Sequence, residues 1–245
     1  MKNKVNQNFA CDVETNNCSS TELTPERIST IGNKPQVAKL TYYYDALCGW
    51  CYGLSPVISK LKEKYGDQLK VEVISGGLFL GNRAGYVNDV APHIKAGAYK
   101  SVENQTGVKF GAPFLEDVFG KGNMTLNSLP PSIALCIIKE HLPKKELIFA
   151  EMLLHAVYFE GFDPINIIWY GTIAEKVGFD KHEFNSKMYD PKYEILALKE
   201  FKKFQNSGFS GMPTLVLDNA GTSVLLSNGY TSFENLDTQL NDFFI

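Results

Sequence analysis

Two cysteines separated by two residues stand where a predicted strand passes into a predicted helix. Residues 37–44 are rich in β-branched and aromatic side chains, which is typical of a strand. Residues 52–65 place apolar side chains at helical spacing, and residues 69–74 alternate apolar with charged side chains like a second strand. A strand, helix, strand unit of this length has parallel strands, and Cys48 and Cys51 stand at the start of its helix.

That position suits the chemistry of thiols. The amide groups of a first helical turn have no partner within the helix, and the helix dipole favours a negative charge beside them. The thiolate is the nucleophile of disulfide exchange, and a helix start favours that form. Cys51, three residues after Cys48, is close enough to close a small ring with it and release a mixed disulfide. A pair of this spacing inside a βαβ unit predicts a redox site.

The rest of the sequence predicts one α/β domain rather than two. The chain has 245 residues, 44% hydrophobic and 21% charged, which is an ordinary globular mixture and excludes wholesale disorder. Strand texture returns at 211–218 and 223–227, on either side of a predicted hairpin turn. We therefore expect one sheet split by a helical insertion. The predicted segments are a flexible polar leader (1–36), the first half of the sheet domain (37–84), the insertion (85–208) and the second half (209–245).

Charge and hydropathy exclude several classes of function. The formal net charge is −3, so the chain has no basic field for binding nucleic acid. It has no run of about 18 apolar residues, so we expect no membrane span. Between Met1 and Cys11 only Val5, Phe9 and Ala10 are apolar, whereas a secretion signal needs an apolar core of about 7–15 residues. We therefore expect a cytoplasmic protein.

The other three cysteines allow different interpretations. Cys11 and Cys18 lie in the leader, where they are either exposed thiols without a role or a mobile pair that exchanges with another redox site. A flexible linker of about 30 residues has a root-mean-square reach of roughly 30 Å, which would bring them to Cys48. A zinc site would need these two beside Cys48 and Cys51, but their spacing is not that of a zinc knuckle. Cys136, in an apolar helical run, is expected to be a buried, inert thiol.

Two prolines complete a pattern that resembles a known family. Pro56 lies inside the first helix, and Met212-Pro213 opens the strand that follows the insertion. With the cysteine pair, these residues resemble the thioredoxin superfamily, and more closely its DsbA-like branch, over about 37–245. The local pattern is similar to the DxxCPWCY pattern of the FrnE-like group, whose positions are here Asp45, Cys48, Trp50, Cys51 and Tyr52.

The resemblance implies a thioredoxin fold with a large helical insertion, and a thiol–disulfide oxidoreductase that needs no cofactor. It implies that Cys48 is the exposed nucleophile and Cys51 the resolving thiol. Pro213 is then a cis-proline that, with Met212, holds the substrate backbone as an added strand. Trp50 is expected to be an exposed aromatic contact for substrate. The implied partners are protein thiols and disulfides, with glutathione or a thioredoxin-type reductant as further candidates, and neither nucleic acid nor membrane.

The sequence also departs from the family pattern. Gly49-Trp50 provides no histidine within the motif, which should weaken oxidising character. Tyr42 stands where thioredoxins carry a buried acid for proton transfer, a role that Asp45 or water could take instead. Two alternative functions remain. One is a glutathione-dependent isomerase or transferase of the hydroxychromene-carboxylate isomerase or kappa type, although those groups typically carry a serine or a single thiol. The other is a non-catalytic zinc or binding module.

Overall fold

A four-stranded sheet lies at the centre of the fold, and a helical block interrupts it in sequence. The computed structural model describes residues 7–12, 18–22, 37–92, 94–219 and 221–244. The strands are β1 (Gln7–Asp12), β2 (Cys18–Glu22), β3 (Ala38–Tyr44), β4 (Leu69–Ser75), β5 (Gly85–Tyr86), β6 (Thr125–Leu126), β7 (Gly211–Met212), β8 (Thr214–Asn219) and β9 (Thr222–Asn228). The helices are α1 (Gly49–Tyr65), α2 (Val87–Val90), α3 (Tyr99–Thr106), α4 (Leu129–His141), α5 (Glu146–Tyr158), α6 (Ile168–Glu175), α7 (Lys181–Lys187), α8 (Pro191–Gln205) and α9 (Phe233–Phe244).

The central sheet has the strand order β4-β3-β8-β9. β3 runs parallel to β4, in a register that begins with Ala38 opposite Leu69, and β8 runs antiparallel to both β3 and β9. Every residue of β3 except Lys39 is buried, as expected for a strand covered on both faces. The predicted parallel unit and the predicted β8–β9 hairpin are therefore confirmed. The helix between the parallel strands begins at Gly49, one turn before the start of the apolar spacing.

The insertion between the two halves of the sheet is largely helical, as predicted. α4 contains the apolar run around Cys136 that was predicted to be helical, and Pro130 and Pro131 lie in its first turn. α8 begins at Pro191, where the Asp190 side chain accepts a hydrogen bond from the Lys192 backbone N–H at 2.9 Å. Among the residues that the structure describes, no helix is both long enough and apolar enough to cross a bilayer.

The buried face of α8 differs from the sequence prediction. The apolar spacing of residues 191–204 predicts that Ile195 and Leu198 point inward, but they are 53% and 49% exposed. The buried positions of this helix are spaced three or four residues apart and form one stripe. They are Tyr193, Ala197, Phe201 and Phe204. The aromatic side chains determine this stripe, and Ile195 and Leu198 consequently lie off it.

Side chains of the insertion complete the outer edge of β4. The Val73 N–H donates to Glu146 Oε1 at 2.5 Å, and the Ser75 N–H donates to Glu200 Oε2 at 2.8 Å. Lys139 Nζ donates to the Val73 carbonyl at 2.6 Å and lies 2.5 Å from Glu200 Oε1. An edge strand otherwise presents unpaired backbone groups. These contacts satisfy them and fix the insertion to the first half of the sheet.

A second, smaller sheet brings the N-terminal segment to β7. Its strand order is β2-β1-β7, with both pairs antiparallel. Cys11 lies opposite Cys18 on one side and opposite Met212 on the other. β1 also contacts α1 and β9. The sequence predicted no strands in residues 1–36, because the polar composition of this segment lacks β-branched and aromatic runs.

Candidate active site

Cys48 lies at the junction that the sequence identified. It is the residue before the first turn of α1 and has extended backbone dihedral angles (φ −98°, ψ 112°). A turn closed by the Cys48 N–H and the Asp45 carbonyl, 3.0 Å apart, leads into the helix. The Cys48 thiol donates to the Met212 carbonyl at 3.5 Å. The βαβ unit and the strand after the insertion therefore meet at this sulfur.

Cys51 lies one helical turn behind Cys48, and both are free thiols. The prediction that Cys48 is exposed is wrong, because the start of α1 lies within the core and neither thiol is exposed to solvent. Burial raises the pKa of Cys51 well above its usual range, and the hydrogen bond that its thiol shares with Cys48 raises it further. A hydrogen bond from the backbone of Asp45 acts in the opposite direction. Cys51 is consequently held as a thiol and needs a proton acceptor before it can act as a nucleophile.

Asp45 is the candidate proton acceptor for Cys51. Its carboxyl is buried, and it accepts hydrogen bonds from the backbone N–H groups of Leu47 at 2.9 Å and Leu78 at 2.8 Å. Burial raises the pKa of Asp45, while these backbone bonds lower it less than burial raises it. The charge of Asp45 also raises the pKa of Cys51, which places the two groups within electrostatic reach. The backbone partner Leu78 follows β4 and had no signal in the sequence.

Tyr42 does not replace the acid of the family pattern. Its hydroxyl donates to the Cys51 carbonyl at 3.2 Å. Burial, followed by the neighbouring Cys51 and Cys48, raises the pKa of Tyr42 well above its usual range. Tyr42 therefore stays neutral and supports the backbone of the first helical turn rather than accepting a proton.

The strand after the insertion begins with a cis peptide bond between Met212 and Pro213. Met212 is fully buried, and its thioether lies against Gly76. A Cβ at Gly76 would come within 2.1 Å of Met212 Sδ, so the glycine makes room for this side chain. No pattern in the sequence connects these two residues. The Gly76-Gly77 pair directly after β4 was the available signal.

Trp50 differs from the prediction that it is exposed. Its exposed fraction is 4%, because the first turn of α1 is buried among the core residues. Tyr158, which sequence analysis did not select, lies near the redox pair. Burial, followed by the charges of Cys48, Asp45 and Cys51, raises the pKa of Tyr158. Tyr158 stacks on Tyr52 with ring centroids 5.3 Å apart, so an aromatic wall from the insertion stands beside the site.

The remaining cysteine and metal predictions have different outcomes. Cys136 is buried in α4, as predicted, and burial raises the pKa of its thiol. Among the residues that the structure describes, no three cysteine, histidine or acidic side chains form a metal-binding group. The zinc alternative requires Cys11 and Cys18, whose side chains lie outside the described part of the chain, so it remains untested.

Comparisons with known proteins agree with this architecture. A putative protein disulfide isomerase from Nitrosomonas europaea superposes with a TM-score of 0.74 at 22% identity, over 84% of this chain and 97% of that one. The cytosolic disulfide reductase DsbM from Pseudomonas aeruginosa gives 0.66 at 24% identity, over 83% and 98%. A 2-hydroxychromene-2-carboxylate isomerase gives 0.55 at 14% identity, over 83% and 93%. No curated protein sequence matches this chain.

These similarities establish the fold, and a family model goes further. The model of the DSBA-like thioredoxin domain matches residues 39–241, which is most of the chain. The match spans both halves of the central sheet and the helical insertion between them. The predicted thioredoxin fold with a helical insertion is therefore confirmed, and the chain belongs to the DsbA-like thioredoxin family.

Proposed function

We propose that this protein is a thiol–disulfide oxidoreductase that exchanges disulfides with protein thiols through Cys48 and Cys51. The observation that carries the proposal is the position of the Cys48 sulfur. It stands at the start of α1, 3.5 Å from the Met212 carbonyl, with Cys51 held as a thiol one turn behind it. An attacking sulfur, a resolving thiol and the backbone of Met212 thus meet at one point.

The reaction in the reducing direction has two steps. The Cys48 thiolate attacks a substrate disulfide, forms a mixed disulfide and releases one substrate thiolate, which takes up a proton. Cys51 then loses its proton and attacks the Cys48 sulfur, which releases the second substrate thiol and leaves a Cys48–Cys51 disulfide. Two electrons pass from the pair to the substrate. The reverse sequence oxidises a substrate dithiol, and the relative reduction potentials determine which direction prevails.

Asp45 is the proposed proton acceptor for Cys51. Its pKa is raised by burial, and so is that of the Cys51 thiol. Proton transfer is most effective when a base is basic enough to take the proton at the working pH. The hydrogen bonds from Leu47 and Leu78 fix the carboxyl in place, so that it is available each time Cys51 must ionise.

The backbone edge of Met212 and Pro213 is the proposed binding site for the substrate chain. A substrate segment added there as a strand would place its disulfide beside Cys48. Trp50 is 4% exposed, so it is not proposed as an exposed contact for the substrate.

Glutathione and a cytoplasmic location also belong to this proposal. The Pseudomonas aeruginosa protein is described as a cytosolic disulfide reductase, and one of its structures contains GSH. That resemblance supports glutathione or a thioredoxin-type protein as the source of electrons. The Asp45-to-Tyr52 pattern supports a place in the FrnE-like group.

Reduction of a protein disulfide, with dithiothreitol as the electron donor, tests the proposal. We expect Cys48→Ser to abolish turnover and Cys51→Ser to accumulate mixed disulfides. Cys136→Ala is the matched control, because this buried cysteine lies in the insertion, and it should retain activity. An active Cys48→Ser protein would refute the proposal. A Cys51→Ser protein that keeps full turnover with glutathione would favour the isomerase or transferase alternative.

A further inference from the structure

The N-terminal hairpin lies where the substrate strand is expected. β1 is a hydrogen-bonded neighbour of β7, and it runs antiparallel to it. Its residue Cys11 is paired with Met212, whose carbonyl accepts the hydrogen bond from the Cys48 thiol. The backbone edge proposed for substrate is thus occupied by a strand of the same chain, and that strand carries a cysteine directly opposite Met212.

Cys18, the other cysteine of the leader, lies on the far side of Cys11 from Met212 in the same sheet. Cys18 of β2 lies opposite Cys11, so Cys18, Cys11 and Met212 occupy directly opposed positions across three adjacent strands. Opposed residues of antiparallel strands have Cα atoms about 4.5–5.5 Å apart. Disulfides form between residues whose Cα atoms are about 4.4–6.8 Å apart. The backbone spacing therefore permits a Cys11–Cys18 disulfide without rearrangement of the hairpin.

The burial of the redox pair is a second, independent observation that favours a partner placed beside Cys48. Cys48 and Met212 have no solvent exposure, and Cys51 has none. An attacking sulfur that is closed to solvent can exchange only with a group already seated beside it, or after something moves away. The pairing of β1 with β7 involves only Cys11 and Asp12 within the described register, so the hairpin is attached there by a short ladder.

We propose that the N-terminal hairpin is a built-in disulfide-exchange partner of the redox pair, an inference that rests on the proposed function. Starting from a Cys48–Cys51 disulfide, the Cys11 thiolate attacks the Cys48 sulfur, and Cys51 leaves as a thiolate that takes up a proton. Cys18 then attacks the Cys11 sulfur and releases Cys48. The hairpin becomes a disulfide, the redox pair becomes a dithiol, and no outside oxidant or reductant is consumed.

The strand register distinguishes this proposal from a simple tether. A flexible tail would bring any of its thiols to Cys48 with a similar effective concentration. A docked strand selects one position, because neighbouring residues of a strand lie on opposite faces. Moving the thiol by one residue, from Cys11 to Ala10, should therefore remove the reaction in a docked hairpin and leave it intact in a tail.

The experiment uses full-length protein carrying Cys51→Ser and Cys18→Ser, so that a Cys11–Cys48 disulfide cannot be resolved. One equivalent of an aromatic disulfide reagent first releases one coloured thiolate, as a protein thiol takes up the aryl group. Attack by the second protein thiol then releases another. We expect this second release to be first-order and independent of protein concentration, and peptide mapping to identify a Cys11–Cys48 disulfide.

The matched control adds Cys11→Ser and Ala10→Cys to the same protein. We expect its second release to be slower by about tenfold or more. Equal rates in the two proteins, or a rate that rises with protein concentration, would overturn the inference.

A separate measurement keeps this inference apart from the proposed function. The Cys11→Ser, Cys18→Ser protein, with Cys48 and Cys51 intact, should still reduce a protein disulfide. If it does and the Cys11–Cys48 disulfide does not form, only the hairpin inference falls. If Cys48 takes up no aryl group and this protein is inactive, the proposed function falls, and the hairpin inference falls with it.

Discussion

Asp45→Asn should have two effects that can be measured separately, one on the free energy of unfolding and one on the rate of disulfide exchange. The carboxylate accepts the backbone N–H groups of Leu47 and Leu78 through two different oxygens. An asparagine amide has one oxygen acceptor, so one of these buried N–H groups loses its partner, at a cost of about 1–3 kcal/mol. The amide also cannot accept the Cys51 proton. Loss of a general base slows a step by about 10²–10⁴.

The step affected is the second one, in which Cys51 resolves the mixed disulfide. In a Cys11→Ser, Cys18→Ser background, an aromatic disulfide reagent releases one coloured thiolate when Cys48 attacks and another when Cys51 attacks. We expect Asp45→Asn to leave the first release nearly unchanged and to slow the second. The deficit should shrink as pH rises, because burial raises the pKa of Cys51 and hydroxide increasingly replaces the carboxylate.

The pH dependence of stability provides a second readout, and its sign follows from burial. Since the pKa of Asp45 is raised in the folded chain, the folded state holds this proton more tightly than the unfolded state does. The resulting stabilisation is complete below about pH 3.9 and is lost as pH rises through the folded pKa. Asp45→Asn should remove this dependence from urea unfolding curves.

A control substitution, at a partly buried acid, excludes a general effect of removing an acid whose pKa is raised by burial. The pKa of Asp163 is also raised by burial, and its carboxylate accepts the Ile165 N–H in the insertion. Asp163→Asn should leave both releases unchanged. Asp45 would not be the proton acceptor if Asp45→Asn resolved the mixed disulfide within about twofold of the parent protein, a difference too small for the loss of a general base.

Three further substitutions test the surroundings of the site. Gly76→Ala should lower the free energy of unfolding by about 1–3 kcal/mol through overpacking against Met212, and Met212→Val in the same protein should relieve part of that loss. If the two substitutions had additive effects in urea unfolding, the proposed contact would be wrong. Lys139→Met should cost about 3 kcal/mol or more, because it leaves the largely buried carboxylates of Glu146 and Glu200 without their cation. Lys192→Met, at an exposed ion pair, should not change the urea midpoint. Tyr42→Phe should lose about 1 kcal/mol but keep normal resolution of mixed disulfides, and a resolution defect would mean that its hydroxyl takes part in proton transfer.

Local patterns in the sequence predicted the elements that local forces determine. The parallel βαβ unit, α4 and the β8–β9 hairpin each follow from side-chain periodicity and turn residues within one segment. The position of Cys48 at a helix start follows in the same way. These features were predictable because each depends only on the side chains of residues that are close together in the sequence.

The features that the sequence did not predict depend on distant partners. Trp50 is buried although its position suggested exposure, because the first turn of α1 lies within the hydrophobic core of the whole domain. Ile195 was assigned to the wrong face because α8 has more apolar residues than one stripe can bury. The acceptor role of Asp45 for Leu78 joins two loops that are far apart in sequence. Nothing local in the leader indicated that β1 would pair with β7.

The closed site and the placed hairpin together limit how an outside partner can reach Cys48. α1 is anchored by buried residues along its length, and β8 is paired on both sides, so neither can leave without disrupting the core. β1 is joined to β7 only through Cys11 and Asp12 in the described register. Although β1 also contacts α1 and β9, it is not part of the central sheet, so the hairpin can be released without breaking a strand pair of that sheet. A substrate strand that pairs with Met212 must take the position of β1, so in-chain exchange and exchange with an outside protein exclude one another at the same backbone edge.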